Sequence, residues 1–353
     1  MYNKEKQMNV GGKSMSLNPQ KVHLEEMKQI KFALRYQENQ DWKAWQKEAR
    51  EKLAELLGYP YAAPKEDHFR IEWENKEDPR FDEIRFLFDS EENCSVLCHL
   101  LTPKGASGKL PVIISLQGHS KGMHISLGRP KYPGDAEKIS GGDRDFAIQA
   151  VKKGYAALAI EQRGFGERGG TENGPACYPV AMQALLLGRT MIGERCWDIS
   201  RSIDIMEKHF PMLDMEKIAV AGNSGGGTAS LYSAAMDERI AAAMPSCAFC
   251  GYQASIGELH HCTCNYVPSI MKYMDMGDLA GLIAPRPLVI VNGETDGIFP
   301  LSSAKEQEKI TRKVYEAAGA GDKLRHVIGP EGHRFYAALG WPVFDEITGW
   351  EEK

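Results

Sequence analysis

The sequence predicts an α/β protein with a doubly wound, mostly parallel β-sheet and an N-terminal helical extension. Short, mostly continuous apolar runs recur through the larger, later part of the chain, as in strands that are buried on both faces. Helical segments separate several of these runs, as βαβ crossovers require. The 353 residues are 42% hydrophobic and 26% charged, which is ordinary for a globular protein.

The N-terminal extension, residues 1–75, is expected to be mainly helical and to precede a main domain over 76–353. Residues 22–57 carry apolar side chains at helical spacing. Asp41 is placed to cap the second of two helices there, and Gly58 is placed to end it. We expect the apolar stripe of this helix to pack on the core.

The strands fall into two groups. Residues 68–102 contain three short pieces that alternate or run apolar, as antiparallel strands do. The parallel strands are predicted at 110–118, 154–162, 217–224, 239–246, 286–293 and 324–329. Helices between them are predicted at 144–154, 196–210, 228–238 and 302–319.

Charge and segment composition restrict the partners and the location. The net charge is -5 and no basic stripe is present, so we expect neither nucleic acid nor an anionic membrane as a partner. The N-terminus lacks the apolar core of a secretory signal, and no apolar run has the length of a membrane helix. We therefore expect a cytoplasmic protein, in which the eight cysteines are free and mostly buried.

The segments Cys247–Cys250 and His260–Cys264 place thiols and imidazoles at short spacing, which could hold zinc. However, Cys247 ends an apolar run that is typical of a core strand, and C-x-C is a poor match to the common zinc spacings. We therefore favour burial and loop packing, and we predict no metal.

Two glycine motifs each follow a predicted strand. Residues 164–169 fit G-x-G-x-x-G, but dinucleotide binding needs a helix to begin at once, and the following GTENGPACYP is typical of a loop. Residues 222–226, GNSGG, fit G-x-S-x-G and stand between a strand and a helix. This is the context of a nucleophile elbow, in which Ser224 would occupy a strained turn.

A serine nucleophile needs a histidine base that a carboxylate orients, and in this type of fold the chain order is serine, acid, histidine. Asp296 and His333 each follow a predicted strand after Ser224, at the sheet edge where open α/β sheets bind ligands. Glu294 is the rival acid. Among the other histidines, His326 lies inside a strand, and His260 and His261 precede the acid.

The oxyanion of an acyl-transfer intermediate needs backbone donors, for which we select the N–H groups of Gly225 and His119. The imidazole of His119 faces either the substrate or the protein interior. Tyrosine and histidine side chains in residues 252–273 suit a polar ring such as a sugar, although they could equally pack a long loop. The candidate substrate-binding residues are Gln117, His124, Tyr252 and His260.

The motifs LQGHS, EQRGFGERGG, GNSGGG, RPLVIVNGETDGIFP and GPEGHR, in this order, resemble the α/β-hydrolase superfamily. The resemblance covers about residues 80–340 and is greatest to the branch of acetyl xylan esterases, cephalosporin-C deacetylases and dienelactone-hydrolase-like enzymes. Gly225, Arg334 and Gln117 depart from that branch, which weakens any transfer of its acetylated sugar substrates and of the oligomeric ring of some members.

The resemblance implies an α/β-hydrolase fold and a serine esterase without a cofactor, acting on short-chain esters of a small polar or carbohydrate-like molecule. Alternatives from other classes stay open: a prolyl-oligopeptidase-like serine peptidase, a lactone hydrolase, a zinc hydrolase and a non-catalytic binding protein. The chain lacks the length for a large peptidase domain, and no member of the expected triad is missing. Homo-oligomerisation stays open.

Overall fold

The computed structural model describes residues 8–10, 13–15 and 17–350. Eleven strands are present in these residues: β1 Met8–Val10, β2 Lys13–Met15, β3 Arg70–Asn75, β4 Phe81–Glu91, β5 Cys94–Pro103, β6 Leu110–Leu116, β7 Ala156–Ile160, β8 Leu213–Asn223, β9 Ile240–Ser246, β10 Leu288–Gly293 and β11 Leu324–Gly329. The α-helices of the same residues are α1 Pro19–Gln29, α2 Trp42–Leu57, α3 Asp135–Gly141, α4 Phe146–Lys152, α5 Cys177–Leu186, α6 Met191–His209, α7 Gly225–Met236, α8 Met276–Gly281, α9 Leu301–Ala317 and α10 Ala337–Thr348.

Strands β3 to β11 form one nine-stranded sheet in the order β11-β10-β9-β8-β6-β7-β5-β4-β3, and β1 pairs with β2. The six strands from β11 to β7 in this order are parallel, and β5, β4 and β3 continue the sheet antiparallel. The predicted α/β class and both groups of strands are therefore confirmed. All six predicted parallel strands are present within a few residues of their expected bounds.

Both faces of the sheet are covered, which explains why its strands are continuously apolar. Val112 and Ile114 of β6 lie in a large core cluster with side chains from α2, α6, α7, α8 and α9. Ile113, between them in the chain, lies in a second cluster with side chains from α4 and α10. Because the strands are parallel, their carboxyl ends meet at one edge of the sheet, where the loops that follow β6, β8, β10 and β11 lie close together.

The expected N-terminal extension, residues 1–75, contributes to this sheet and core. Asp41 caps α2 by accepting hydrogen bonds from the backbone N–H groups of Lys43 and Ala44, and Gly58 ends the helix with a left-handed conformation at φ 70°. Trp45 is buried in the larger cluster. Strand β3 pairs with β4, so the sheet continues across the expected boundary at residue 75.

The sequence patterns missed helices α3, α5, α8 and α10. Helices α3 and α8 are seven and six residues long and contain glycine, which weakens a helical pattern in the sequence. Helix α10 contains Pro342, which usually marks the end of a helix. None of the helices in residues 17–350 has the length and apolar character that would let it cross a membrane.

Candidate active site

Ser224 occupies a strained turn between β8 and α7. Its φ of 57° and ψ of -124° are unfavourable for a residue with a Cβ, and such strain is commonly found at functional sites. The turn is held by hydrogen bonds from the N–H of Ser224 to the carbonyl of Ser246, 2.8 Å, and from the N–H of Thr228 to the carbonyl of Ser224, 2.8 Å. The turn therefore presents the Ser224 side chain at the carboxyl edge of the sheet.

The glycines of the G-x-S-x-G motif are required by close backbone contacts. A Cβ at Gly222 would lie 2.5 Å from the carbonyl oxygen of Leu116, and one at Gly226 would overlap the same carbonyl group. A Cβ at Gly225 would lie 2.7 Å from Nδ1 and Cε1 of the His119 ring. The tight packing of β8 and α7 against β6 and the loop after it thus excludes side chains at these positions.

His333 and Asp296 lie beside each other in the loops that follow β11 and β10. Nδ1 of His333 is 2.8 Å from Oδ2 of Asp296. Oδ1 of Asp296 accepts hydrogen bonds from the backbone N–H groups of Ile298, 2.8 Å, and Phe299, 3.2 Å. Burial by itself would raise the pKa of Asp296, but the hydrogen bond and charge of His333 and these N–H groups outweigh it and hold the pKa below its ordinary value.

The rival acid and two of the rival histidines form hydrogen bonds with groups other than Asp296. Glu294 is exposed, and its backbone N–H donates to the carbonyl of Gly329. His326 hydrogen bonds Asn292 within the sheet, at 3.1 Å. His261 hydrogen bonds Ser255 at 2.8 Å. The carboxylate that contacts His333 is therefore Asp296.

Ser224 and His333 line one cavity of about 280 Å³. Gly225 and His119, the two residues whose N–H groups were selected as oxyanion donors, also line it. The imidazole of His119 points to a thiol, with Nε2 3.1 Å from Sγ of Cys264, and its ring packs edge-on against Phe165. The lining of the cavity also includes the apolar residues Ile298 and Phe299 and the polar residues Arg144, His260, His261 and Asn265.

The four candidate substrate-binding residues do not all lie together. His260 is exposed and lines the Ser224 cavity. Gln117 is buried and donates to Oε1 of Glu161, 2.8 Å. His124 hydrogen bonds Asp135 at 2.8 Å, and the hydroxyl of Tyr252 is 2.5 Å from that of Tyr232. Each of these three side chains has a hydrogen-bond partner within the protein, and none of the three residues lines the Ser224 cavity.

Arg144 lines the cavity although no sequence motif identified it. Its NH2 group donates to the carbonyl of His333 over a long 3.4 Å, and its Nε is buried without a hydrogen-bond partner in the described part of the chain. Burial of the guanidinium lowers the pKa of Arg144. Such a group can donate strong hydrogen bonds to an oxygen atom of a ligand.

The EQRGFGERGG motif that supported the family resemblance, residues 161–170, makes buried contacts with other elements of the fold. Arg163 is buried and contacts Asp198 through Nε, 2.9 Å, and NH2, 2.8 Å, and it also contacts Glu91 at 2.7 Å. Glu161, two residues earlier, accepts from the backbone N–H of Met123 at 3.0 Å, and burial raises its pKa to about 7. These contacts tie the loop after β7 to α6 and to the loop after β6.

The cysteines are arranged differently from the two groups seen in the sequence. Sγ of Cys247 donates to the carbonyl of Arg334, 3.2 Å, and its thiol adjoins Asp296 and His333. Sγ of Cys250 donates to the carbonyl of Gly251, 3.4 Å. Four ligand atoms that could hold a metal instead come from His119, Cys177, Cys262 and Cys264.

The family model described as "Abhydrolase family" matches residues 19–326. The chain belongs to this family. The expected membership of the α/β-hydrolase superfamily is therefore confirmed. The protein YtaP of Bacillus subtilis (strain 168), whose name describes it as a hydrolase, is 29% identical over 254 residues, which are 70% of this chain and 81% of YtaP.

Solved structures confirm the α/β-hydrolase fold. A Bacteroides fragilis NCTC 9343 protein described as an acetyl xylan esterase superposes with a TM-score of 0.76 at 18% identity, covering 89% of this chain and 82% of that one. A glucuronoyl esterase from Solibacter usitatus gives a TM-score of 0.68 at 16% identity, covering 91% of this chain and 97% of that one. An acetyl xylan esterase from Paenibacillus sp. R4 gives a TM-score of 0.56 at 19% identity, covering 95% of this chain and 98% of that one.

Proposed function

We propose that this Abhydrolase family member is a serine carboxylic-ester hydrolase, which cleaves short-chain esters, acetyl esters above all, of a small polar or carbohydrate-like molecule through an acyl-enzyme. The observation that carries the proposal is the 2.8 Å contact between His333 and Asp296 beside a cavity that Ser224 also lines. The names of the acetyl xylan and glucuronoyl esterases with the same fold support an ester substrate.

In the proposed mechanism, Asp296 holds the proton of His333 on Nδ1, so that Nε2 is free to act as the base. His333 accepts the hydroxyl proton of Ser224 as its Oγ bonds to the ester carbonyl carbon. The carbonyl oxygen becomes an oxyanion, which the N–H groups of Gly225 and His119 stabilise. The C–O bond to the alcohol then breaks, and His333 gives its proton to the departing alcohol oxygen.

Deacylation repeats these roles with water as the nucleophile. His333 removes a proton from water as the water oxygen bonds to the acyl carbon, and the same two N–H groups stabilise the second oxyanion. The bond to Ser224 breaks, Oγ regains its proton from His333, and the carboxylic acid leaves. These steps call for no metal or organic cofactor.

The cavity supports a short acyl group and a polar alcohol. Its volume of about 280 Å³ is below that of drug-sized pockets, which limits the length of the acyl chain. Arg144, His260 and Asn265 offer hydrogen bonds to the hydroxyl oxygens of the alcohol part. The cytoplasm remains our proposed location, and the eight free cysteines support a reducing compartment.

A series of p-nitrophenyl esters tests the reaction class and the acyl length together. We expect the highest kcat/KM for acetate, a steep fall beyond butyrate, and complete inactivation by a serine-reactive phosphonate. A peptide p-nitroanilide should not be cleaved. An increase of kcat/KM up to octanoate would contradict the short-chain proposal, and preferential cleavage of the anilide would favour a peptidase.

A further inference from the structure

We propose that His119, Cys177, Cys262 and Cys264 form a zinc site beside the serine cavity. The four ligand atoms, one imidazole nitrogen and three sulfurs, all lie within 4.8 Å of one another. Tetrahedral zinc takes Cys₃His sets, in which ligands ~2.0–2.3 Å from the ion stand roughly 3.3–3.8 Å apart. The set therefore needs only a small contraction around an ion, and it goes beyond the proposed ester hydrolysis.

The four ligands come from three segments that are distant in the chain. His119 follows β6, Cys177 is the first residue of α5, and Cys262 and Cys264 lie at a short 3₁₀ turn, Thr263–Asn265. Nε2 of His119 is already 3.1 Å from Sγ of Cys264. An ion at this position would join α5 and both loops into one wall of the cavity.

Burial and charge also favour a thiolate–metal site. Cys177 and Cys264 are only 3% and 1% exposed, and Arg195, also 1% exposed, donates through NH2 to Sγ of Cys177 at 3.4 Å. No carboxylate of the described residues forms an ion pair with Arg195, although a buried cation needs a compensating charge. Three thiolates, a neutral imidazole and Zn²⁺ carry one net negative charge, which Arg195 would balance.

The positions of the four ligands in the chain explain why the sequence patterns predicted no zinc site. Cys247 and Cys250, which the spacing grouped with Cys262 and Cys264, make contacts elsewhere. Helix α5 instead supplies the third sulfur and the loop after β6 supplies the nitrogen. A search for C-x-x-C pairs has no means of finding ligands that only the fold brings together.

The direct test is metal analysis of the full-length protein, produced in zinc-supplemented medium and purified with a non-thiol reductant and without chelators. We expect about one zinc ion per chain after exhaustive dialysis. Cys177→Ser and Cys262→Ser should each lower the retained zinc at least about tenfold, as loss of one ligand does. The matched control Cys250→Ser, which alters a buried cysteine of the sequence-based grouping, should keep it.

Cobalt spectroscopy of the unmutated protein tests the same site in case the Cys177→Ser and Cys262→Ser variants fail to fold. After zinc is replaced by Co²⁺, we expect sulfur-to-cobalt charge-transfer absorption and the visible bands of tetrahedral cobalt. Zinc below about 0.1 per chain together with no cobalt–sulfur absorption would overturn the proposal. So would full retention of zinc in the Cys177→Ser/Cys262→Ser double variant, a disulfide among the three cysteines, or a different ion at the site.

Discussion

Nδ1 of His333 lies 2.8 Å from Oδ2 of Asp296, while Oδ1 of the same carboxylate accepts two backbone N–H groups of the Asp296–Phe299 turn. Both carboxylate oxygens are therefore held, and the plane of the Asp296 side chain is fixed with respect to the imidazole. A histidine oriented in this way presents Nε2 in one direction. In the proposed reaction that direction is the hydroxyl of Ser224.

Substitution of the acid tests this orientation. Asp296→Asn should lower kcat on p-nitrophenyl acetate by on the order of 10³–10⁴-fold, because an amide donates to Nδ1 and stabilises the wrong tautomer of His333. Glu294→Gln is the matched control, since this carboxylate is exposed two residues earlier, and it should change kcat less than about threefold. A greater loss in Glu294→Gln than in Asp296→Asn would identify Glu294 as the acid.

The strained turn at Ser224 predicts that replacing this residue by glycine stabilises the fold relative to replacing it by alanine. Ser224→Gly relieves the φ of 57°, whereas Ser224→Ala keeps the Cβ and its strain. We expect the free energy of unfolding of the glycine variant to be about 1 kcal/mol higher than that of the alanine variant. The reason is that strain relief of ~1–3 kcal/mol exceeds the entropic cost of glycine. Urea denaturation of both variants measures the difference. Equal stability, or a more stable alanine variant, would argue against strain.

The buried carboxyl of Glu161 predicts a pH-dependent stability. Its pKa in the folded protein is about 7, against 4.5 for the free group, so between these pH values the folded protein keeps a proton that the unfolded chain releases. The free energy of unfolding should therefore fall as the pH rises from 5 to 8, by up to ~3 kcal/mol from this group. Glu161→Gln should lessen that fall. An unchanged pH dependence in Glu161→Gln would contradict this prediction.

Arg144 predicts a specificity effect. Arg144→Met keeps the length of the side chain but removes its donors. We expect kcat/KM for an acetylated monosaccharide to fall by about 10–100-fold, which corresponds to one hydrogen bond of a charged group. Turnover of p-nitrophenyl acetate, whose alcohol part lacks sugar hydroxyls, should change less than about threefold. An equal loss on both esters would show that Arg144 acts on the general geometry of the site and not on the alcohol.

The features of this protein that the sequence predicts are those that depend on local patterns of apolar residues. Strands buried on both faces produce continuous apolar runs, so all six parallel strands could be located. Ser224, Asp296 and His333 could be selected because each lies at the end of one of these runs or within a few residues of it. The 2.8 Å contact of His333 with Asp296, and not with Glu294, depends on the path of the loop after β10, which local patterns do not specify.

The features that the sequence did not predict depend on packing between residues that are distant in the chain. Whether polar side chains such as Gln117, His124 and Tyr252 face the substrate cavity depends on the packing around them, and here each hydrogen bonds a neighbouring side chain, Glu161, Asp135 or Tyr232. Arg144 and the four thiol and imidazole ligands are joined by contacts across the fold. Neither set has a regular spacing along the chain.

Covalent labelling of the nucleophile tests the central claim most directly. The parent protein, Ser224→Ala and the control Ser230→Ala are treated with diethyl p-nitrophenyl phosphate and analysed by intact mass and peptide mapping. We predict one diethylphosphoryl group per chain on the peptide of Ser224, with loss of ester turnover in proportion to labelling, in the parent and in Ser230→Ala. Ser224→Ala should remain unlabelled and inactive. Labelling at another residue, or more than about a tenth of the parent's turnover in Ser224→Ala, would contradict the account.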